Sequence, residues 1–337
     1  MRRVSLALQG GGAHGAFTWG VLDRLLEEED LEIAGISGAS AGALNGAALK
    51  AGMLEGGRAG AKARLERLWR QVGEIGDFRM LPWIAPFLPA IRFWQTAGAA
   101  VLPFSPHGVA AQLYSPYLFG KRWTNPLEPV VRDLDFTQVC AEAGPRLFVS
   151  ATNVRTGKIK VFHGSQISPE ALLASACLPT VFQTVEIDGE AYWDGGFSGN
   201  PALFPLYEPD LPDDVVVVSI NPMRTESIPD TPLEIQSRIN EISFNAGLLG
   251  ELRAINFVRR LIAEGRMDRG QMKEVNIHMI ADDGLMNELS ADSKLSPTPT
   301  LLNRLKTAGR AAAERFLAEG GAKIGQEPSA DLRTLLG

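Results

Sequence analysis

The feature that most constrains the fold is the alternation of short apolar runs with helical segments at the start of the chain. Residues 4–8 are apolar and are followed by glycines, which is typical of a buried strand in a parallel sheet. Residues 13–29 have the apolar spacing of a helix, residues 32–36 predict a second strand, and residues 41–51 have helical composition. This β–α–β–α order predicts a doubly wound α/β sheet.

The chain returns to the same kind of pattern after residue 145. Asp188 and Gly189 lie between two apolar runs and predict a hairpin turn. Residues 214–221 predict another buried strand, and residues 233–264 predict a long helix. Further strands are predicted at 146–154, 158–164 and 274–281, and further helices at 58–72, 171–178 and 300–318.

Net charge and cysteine content limit the classes of partner and the compartment. The formal net charge is −6, which argues against a nucleic-acid-binding protein. Cys140 and Cys177 are the only cysteines, so neither a disulfide framework nor a zinc site is expected. The apolar run at 4–8 is too short for a signal peptide, and no window of the sequence resembles a transmembrane helix. We therefore expect a cytoplasmic protein that contacts a membrane only peripherally.

Segment 78–123 differs in composition from the rest of the chain. It contains ten aromatic residues and six prolines but no Asp or Glu, and its charged residues are basic. The prolines exclude a long helix. We expect this segment to form the mouth or lid of a site and to contact an anionic lipid surface. The alternative is a proline-rich cover that packs on the sheet.

Ser40 lies between small residues, in the stretch GASAG, where a predicted strand meets a predicted helix. In a nucleophile elbow this G-x-S-x-G pattern forms a sharp, strained turn that accommodates only small neighbours. The positive end of the following helix favours negative charge that develops near the serine. Ser40 is therefore a candidate nucleophile. The alternative is a glycine-rich turn in which the serine only caps the helix.

A glycine-rich stretch, QGGGAHG, follows the first predicted strand. Gly10, Gly11 and Gly12 expose backbone N–H groups where a strand leads into a helix, an arrangement that binds anions. Such a loop binds a phosphate or the oxyanion of an ester intermediate. The glycines also partly fit a dinucleotide-binding fold, but that fold expects an acid where this chain has the Ser40 motif.

Asp194 begins an Asp-Gly-Gly stretch directly after the apolar run AYW. Most Asp-Gly pairs are turns, as we expect of Asp188 and Gly189. Asp194 instead is predicted at the end of a strand, where the sites of α/β sheets lie.

Taken together, the stretches GGGAHG, GASAG, ASACLPTVFQTVEIDGEAYWDGG and SGNPA resemble the patatin-like phospholipase family over about residues 4–207. The resemblance implies a three-layer α/β/α fold with a mainly parallel central sheet. It also implies a Ser–Asp dyad that hydrolyses acyl esters of lipids and needs no metal or organic cofactor. By this resemblance Ser40 is the nucleophile, Asp194 is the base, and Gly10, Gly11 and Gly12 form the oxyanion hole.

The resemblance also suggests how the chain is organised. Residues 1–207 would form the catalytic domain, with 78–123 as an insertion. Residues 208–337 resemble the extra C-terminal region of some bacterial members and would complete or extend the same domain, with no separate function assigned. The family usually has Arg or Lys where this chain has His14. Because histidine is mostly neutral at pH 7, a phosphate-directed role is not expected there.

A Ser–His–Asp triad is the alternative to a dyad, since Ser40, Asp194 and His278 follow one another in the order found in α/β-hydrolases. His278, however, lies inside an alternating run that predicts a strand interior, whereas a triad histidine normally lies on a loop. We therefore expect a dyad, in which burial raises the pKa of Asp194 so that it can accept the serine proton.

The sequence thus predicts a serine lipid acyl hydrolase of the esterase or phospholipase A type that works through an acyl-enzyme. One rival is a nucleotide- or phosphate-binding α/β module that uses the glycine loop, although it leaves Ser40 and Asp194 unexplained. A second rival is a non-catalytic, lipid-binding member of the family. The expected partner is a lipid or acyl-ester substrate.

Overall fold

The computed structural model describes residues 1–76, 117, 124–225, 228–289 and 291–337. Within this part of the chain one eight-stranded sheet is formed. Its strands are β1 Arg2–Leu8, β2 Leu31–Ala39, β3 Arg146–Asn153, β4 Ile159–His163, β5 Val185–Ile187, β6 Glu190–Asp194, β7 Asp214–Val218 and β8 Asn276–Ile280. The strand order is β5-β6-β3-β2-β1-β7-β8, and β4 pairs with β3.

The centre of the sheet is parallel and its one end is antiparallel. Strands β3, β2, β1, β7 and β8 pair in parallel, whereas β4 and β6 pair antiparallel with β3, and β5 pairs antiparallel with β6. The hairpin between β5 and β6 turns at Asp188 and Gly189, whose φ values of 52° and 79° suit a tight hairpin. The predicted hairpin is therefore confirmed.

Helices cover the sheet and follow the strands in alternation. They are α1 Gly15–Leu25, α2 Ala41–Ile75, α3 Glu128–Arg132, α4 Phe136–Val139, α5 Pro169–Ser175, α6 Pro232–Ala263, α7 Asp283–Glu288, α8 Pro299–Glu319 and α9 Leu332–Leu336. Helix α2 is interrupted at Gly56 and Gly57, which have non-helical backbone angles. The interruption separates the two helices that the sequence predicts at 41–51 and 58–72.

Two apolar clusters lie on opposite faces of the sheet. Along β1, Leu6 and Leu8 pack into the cluster that contains α1, α2 and α8, whereas Ala7 packs into the other. That second cluster contains Leu248 and Leu252 of α6. Because successive strand residues point to opposite faces, this division places helices on both sides of the sheet. The predicted α/β fold with a mainly parallel sheet is confirmed.

The C-terminal region contributes directly to the central sheet. Strand β7 lies beside β1, and β8 lies beside β7, both in parallel. Helix α8 packs along α1 at two glycines. A Cβ on Gly309 would lie 2.0 Å from the Phe17 carbonyl oxygen, and one on Gly20 would lie 2.0 Å from that of Lys306. Such close backbone contact fixes α8 against the helix that follows the glycine loop.

Some predicted boundaries differ from the structure. The first helix, predicted at 13–29, begins at Gly15, because Gly12–His14 forms a 3₁₀ turn, and it ends at Leu25. The predicted insertion 78–123 lies outside the described residues, apart from Tyr117. Of the helices described, none is both long and apolar enough to cross a membrane.

Candidate active site

Ser40 joins β2 to α2 in a backbone conformation that residues with a side chain rarely adopt. Its φ is 52° and its ψ is −125°, a strained combination that costs about 1–3 kcal/mol. In the described part of the chain, Asp188 is the only other non-glycine residue with positive φ, and it forms a hairpin turn. Ser40 is 6% exposed. A strained, nearly buried serine between strand and helix has the geometry of a nucleophile elbow.

The elbow requires glycine on both sides and in the neighbouring loop. A Cβ on Gly38 would lie 2.6 Å from the carbonyl carbon of Gly42, and one on Gly42 would lie 2.1 Å from the Leu8 carbonyl oxygen. A Cβ on Gly10 would lie 2.6 Å from the Cβ of Ser40. The glycine loop and the elbow therefore touch through their backbones, as the small residues in both motifs predict.

The register of β3 explains why Asp194 lies beside Ser40. Ser150 and Ala151, consecutive residues of β3, pair with Ala39 at the end of β2 and with Asp194 at the end of β6, respectively. Strand β6 runs antiparallel to β3, so it ends where β2 also ends. Ser40 and Asp194, far apart in sequence, thus meet at the carboxyl edge of the sheet, where ligands of α/β proteins bind.

The main chain and one carboxylate oxygen of Asp194 are held by hydrogen bonds. Asp194 donates its N–H to the Cys177 carbonyl at 2.8 Å, and its own carbonyl accepts from the Thr152 hydroxyl at 2.8 Å. Oδ1 accepts the Gly196 N–H at 2.7 Å. Oδ2 is buried and has no hydrogen-bond partner in the part of the chain described. This oxygen is the available acceptor at the site.

Burial raises the pKa of Asp194 from its usual value near 4 to about 7. The Gly196 N–H and the nearby Ser40 hydroxyl oppose this rise because both favour the carboxylate. The side chain is 0% exposed. An aspartate with a pKa near neutrality is a far better base than an ordinary one.

The glycine loop is fixed at Gly10 and open beyond it. Gly10 donates its N–H to Oδ1 of Asn200 at 2.6 Å. Its carbonyl accepts from the side-chain amides of Asn200 at 3.2 Å and Asn221 at 2.8 Å. We find no acceptor for the N–H groups of Gly11 and Gly12 among residues 1–76, 117, 124–225, 228–289 and 291–337. Two of the three predicted anion donors are therefore unoccupied, whereas Gly10 holds the loop in place.

Gln9 lies at the centre of the network behind the loop. Its Oε1 accepts the backbone N–H groups of Ile220 at 2.9 Å and Asn221 at 3.0 Å, and its Nε2 donates to Asn245 Oδ1 at 3.1 Å. Gln9 is fully buried. The sequence analysis missed this role, and the only signal available was a polar residue at the end of an apolar strand.

Ser175, at the end of α5, supports the elbow from below. Its hydroxyl accepts the Ser40 N–H at 2.9 Å, and the side chain is fully buried. The bond fixes the backbone of the strained turn. Sequence reasoning missed Ser175 because a serine between alanines in a short helix has no distinguishing pattern.

His278 lies far from Ser40 and is fully engaged elsewhere. Its Nε2 contacts Oδ1 of Asp214 at 2.9 Å, and its Nδ1 contacts the Ser329 hydroxyl at 2.9 Å. In the ladder β8-β7-β1-β2 it is level with Ile36, four residues before Ser40 and three strands away, which is about 13 Å along the strands alone. The structure does not bring His278 to the candidate site.

His14 is buried beside the glycine loop and is neutral. Burial, with a smaller effect from the positive charge of Lys294, lowers the pKa of His14 to about 3. Its Nε2 contacts the Ser293 hydroxyl at 2.7 Å. The residue therefore carries no charge with which to bind a phosphate at neutral pH.

Comparisons with known proteins agree on the type of protein. The sequence profile of the family described as patatin-like phospholipase matches residues 6–207. Among solved structures, the crystal structure of VipD from Legionella pneumophila has a TM-score of 0.43 and 16% sequence identity. That match covers 94% of this chain and 67% of the VipD chain. No curated protein matches the sequence.

Proposed function

Because the chain belongs to the patatin-like phospholipase family, we propose that it hydrolyses acyl esters of lipids with Ser40 and Asp194 as a catalytic dyad. Family membership supports lipid acyl hydrolase activity in general. The identity of the dyad, the acyl-enzyme and the oxyanion loop are the finer parts of this proposal. The catalytic unit would include the C-terminal region, because β7 and β8 belong to the same sheet.

The observation that carries the proposal is the pairing of a strained serine with a buried aspartate whose Oδ2 is unoccupied. Backbone strain of this kind persists only where the surrounding structure enforces it, and it is concentrated at functional sites. A buried carboxylate oxygen without a partner is likewise costly. In Ser40 and Asp194 the two features lie side by side at the carboxyl edge of the sheet.

In the first half-reaction the Ser40 oxygen attacks the acyl carbonyl carbon, and its proton passes to Oδ2 of Asp194. The bond from the acyl carbon to the alcohol oxygen then breaks, and the departing alcohol takes that proton. The acyl group remains on Ser40 as an ester. Catalytic hydrogen bonds are often long without substrate, so rotation of the Ser40 hydroxyl toward Oδ2 on binding is consistent with the present geometry.

In the second half-reaction a water molecule attacks the acyl-enzyme and gives its proton to Asp194. The tetrahedral intermediate collapses, the bond to the Ser40 oxygen breaks, and Asp194 returns the proton to that oxygen. The products are a carboxylic acid and the free enzyme.

Negative charge on the acyl oxygen would be stabilised by the glycine loop in both half-reactions. The N–H groups of Gly11 and Gly12 would donate to it, and the amino end of α2 points its positive dipole toward the same region. Loss of one such donor typically lowers kcat by about 10²- to 10³-fold. Gly10 would serve by shape, since its N–H donates to Asn200.

The proposal is tested by product analysis of the purified protein against phospholipids, lysophospholipids, acylglycerols and short-chain esters. We expect release of fatty acid and a single covalent adduct with a fluorophosphonate probe. Ser40→Ala should abolish both. Ser243→Ala is the matched control, because this serine on α6 bonds only its own helix, at the Ile239 carbonyl.

Two outcomes would decide for the rivals. Thermal stabilisation by nucleotides or inorganic phosphate, without ester cleavage or probe labelling, would favour the anion-binding module. Binding of phospholipid vesicles with no turnover of any ester would favour a non-catalytic, lipid-binding member. Full labelling of Ser40→Ala would contradict the assignment of the nucleophile in either case.

Peripheral membrane contact through 78–123 is a separate part of the proposal. Its composition, with aromatic and basic residues and no acids, supports contact with anionic lipid. Changing Trp83, Phe87 and Trp94 together to Ser should weaken co-sedimentation with anionic vesicles, while cleavage of a short soluble ester stays within about threefold. A folded variant that binds vesicles like the parent would exclude this surface.

A further inference from the structure

A short 3₁₀ segment of the C-terminal region, Ala291–Leu295, packs directly on the glycine loop. Gly12 has a φ of +59°, and a Cβ at this position would lie 2.2 Å from the Lys294 carbonyl oxygen. On the same segment, the Ser293 hydroxyl contacts Nε2 of His14 at 2.7 Å. The loop therefore requires the main chain of residue 294 to be in place.

The side chain of Lys294 begins a chain of hydrogen bonds that ends in the loop. Its Nζ donates to Oδ1 of Asn221 at 3.1 Å, and Nδ2 of Asn221 donates to the Gly10 carbonyl at 2.8 Å. That carbonyl and the N–H of Gly11 belong to one peptide unit. All donors point in the same direction, from the ammonium group toward the Gly11 N–H.

We infer that Lys294 is a positioning residue which, through Asn221, fixes and polarises the Gly11 N–H for contact with the oxyanion. The inference rests on the proposed function and adds a residue from outside the family-matched region 6–207. Hydrogen bonds that run in series strengthen one another, and more so away from water. Donation to a peptide carbonyl withdraws electron density from its N–H, which makes that N–H a stronger donor.

The surroundings of Lys294 keep its charge effective at the loop. Its side chain is 19% exposed, and the Oε1 atom of Glu241 lies 3.6 Å from Nζ. Burial lowers the pKa of Lys294, and Glu241 opposes this by favouring the ammonium form. The other titratable group at the loop, His14, is held neutral by burial. Lys294 is thus the cation that the structure brings to the glycine loop from the C-terminal region.

The test is a graded series at position 294, measured on a soluble short-chain ester. Lys294→Arg keeps a charged donor, Lys294→Gln keeps a neutral donor, and Lys294→Met removes the donor. We expect kcat to fall by about tenfold in the Met variant, by less in the Gln variant and least in the Arg variant. KM should stay within about twofold, because the oxyanion contact forms in the transition state.

The matched control is Lys306→Met. Lys306 lies on α8, in the same region of the chain, its side chain is 24% exposed, and its Nζ lies near Glu66 and over the Trp19 ring, away from the Asn221 side chain. Rates are expressed per site titrated with the fluorophosphonate probe, which removes any loss of folded protein from the comparison. We expect the control to keep the parent kcat per titrated site.

A double-mutant cycle separates the relay from a merely structural role. If Lys294 acts through Asn221, adding Lys294→Met to Asn221→Ala should cost little beyond Asn221→Ala alone. Equal kcat in the Arg, Gln and Met variants, or fully additive losses, would overturn the inference. If Lys294→Met fails to fold, the Gln and Arg variants decide, and equal kcat in these two overturns it. A parent protein that cleaves no ester and takes no probe would instead refute the proposed function itself.

Discussion

Two buried aspartates lie at opposite edges of the same sheet and differ in what surrounds them. Asp194 ends β6 at the carboxyl edge, and its buried Oδ2 has no partner in the described part of the chain. Asp214 begins β7 at the amino edge, and its Oδ1 contacts Nε2 of His278 at 2.9 Å and accepts the Gly325 N–H at 3.0 Å. Both side chains are almost fully buried.

The comparison separates a reactive arrangement from a structural one. Asp214, His278 and Ser329 have the residue types and contact distances of a hydrolase triad, yet they join the amino edge of the sheet to the C-terminal segment at 325–329. Ser40 and Asp194 lack such a closed set of hydrogen bonds and contain backbone strain instead. Unsatisfied polarity and strain therefore identify the candidate site better than residue types do.

The largest expected effect is the loss of activity on changing Asp194. Asp194→Asn keeps the size of the side chain and an acceptor for the Gly196 N–H, but it cannot take up the serine proton. We expect kcat for a soluble ester to fall by about 10²- to 10⁴-fold. Asp214→Asn, measured per titrated active site, is the matched control and should remain within about threefold. Equal losses in the two variants would remove the distinction between the aspartates.

The second effect concerns stability at the opposite edge. His278→Ala should lower the free energy of unfolding by about 3 kcal/mol, because it leaves buried Asp214 without one of its partners and opens a cavity. The measurement is urea unfolding followed by circular dichroism. His163→Ala, at an exposed strand end, should change it by less than about 0.5 kcal/mol. Loss of turnover by folded His278→Ala would revive the triad.

The sequence identifies Ser40 and Asp194 because the physical requirements of both residues are local. A strained turn needs small neighbours, and Gly38 and Gly42 are adjacent in the chain. The same holds for the hairpin at Asp188 and for the apolar runs of the parallel strands. Each of these features is set by residues a few positions apart, so a single sequence contains the whole signal.

The supports of the site could not be predicted, because their partners are distant in the chain. Gly10 is separated from Asn200 by 190 residues, and Asn221 is separated from Lys294 by 73. No spacing rule relates such pairs. The prediction that all three loop glycines donate to an anion therefore missed that the N–H of Gly10 is occupied.

Helix α6 shows the same limit for burial. The sequence predicts its extent within two residues, from an apolar pattern that includes Ile235, Ile239 and Leu252. Leu252 is buried against the sheet, whereas Ile235 and Ile239 are 44% and 51% exposed. An apolar pattern indicates which side of a helix is able to pack, but the position of the sheet decides how much of that side does.

A third prediction compares the stability of the two aspartate variants across pH. The pKa of Asp194 is about 7 in the folded protein and near 4 when unfolded. The folded state therefore holds this proton more tightly, so its contribution to the free energy of unfolding falls as pH rises from about 4 to 7. Asp194→Asn should remove this fall and be more stable than the parent at pH 8 by about 2 kcal/mol.

Urea unfolding at pH 5 and pH 8 measures this difference. At pH 5 the advantage of Asp194→Asn over the parent should be smaller than at pH 8, since most of the folded parent still carries the proton. Asp214→Asn should show no comparable advantage at pH 8, because Asp214 is held by hydrogen bonds to its ionised form. An Asp194→Asn variant with the same advantage at both pH values would show that the buried aspartate is ordinary.

The smallest effect, about tenfold per pH unit, is expected in the pH dependence of the parent's own activity. Asp194 must be ionised to accept the Ser40 proton, and its pKa is about 7, so kcat/KM for a soluble ester should rise about tenfold for each unit below pH 7 and level off above it. The residual activity of Asp194→Asn should lack this rise, whereas His278→Gln should keep it, because His278 contacts Asp214 and Ser329 rather than the site. A profile that is flat from pH 5 to 8 in the parent would show that Asp194 is not the base. A rise that disappears in His278→Gln would assign the titration to the histidine and reverse the roles of the two edges of the sheet.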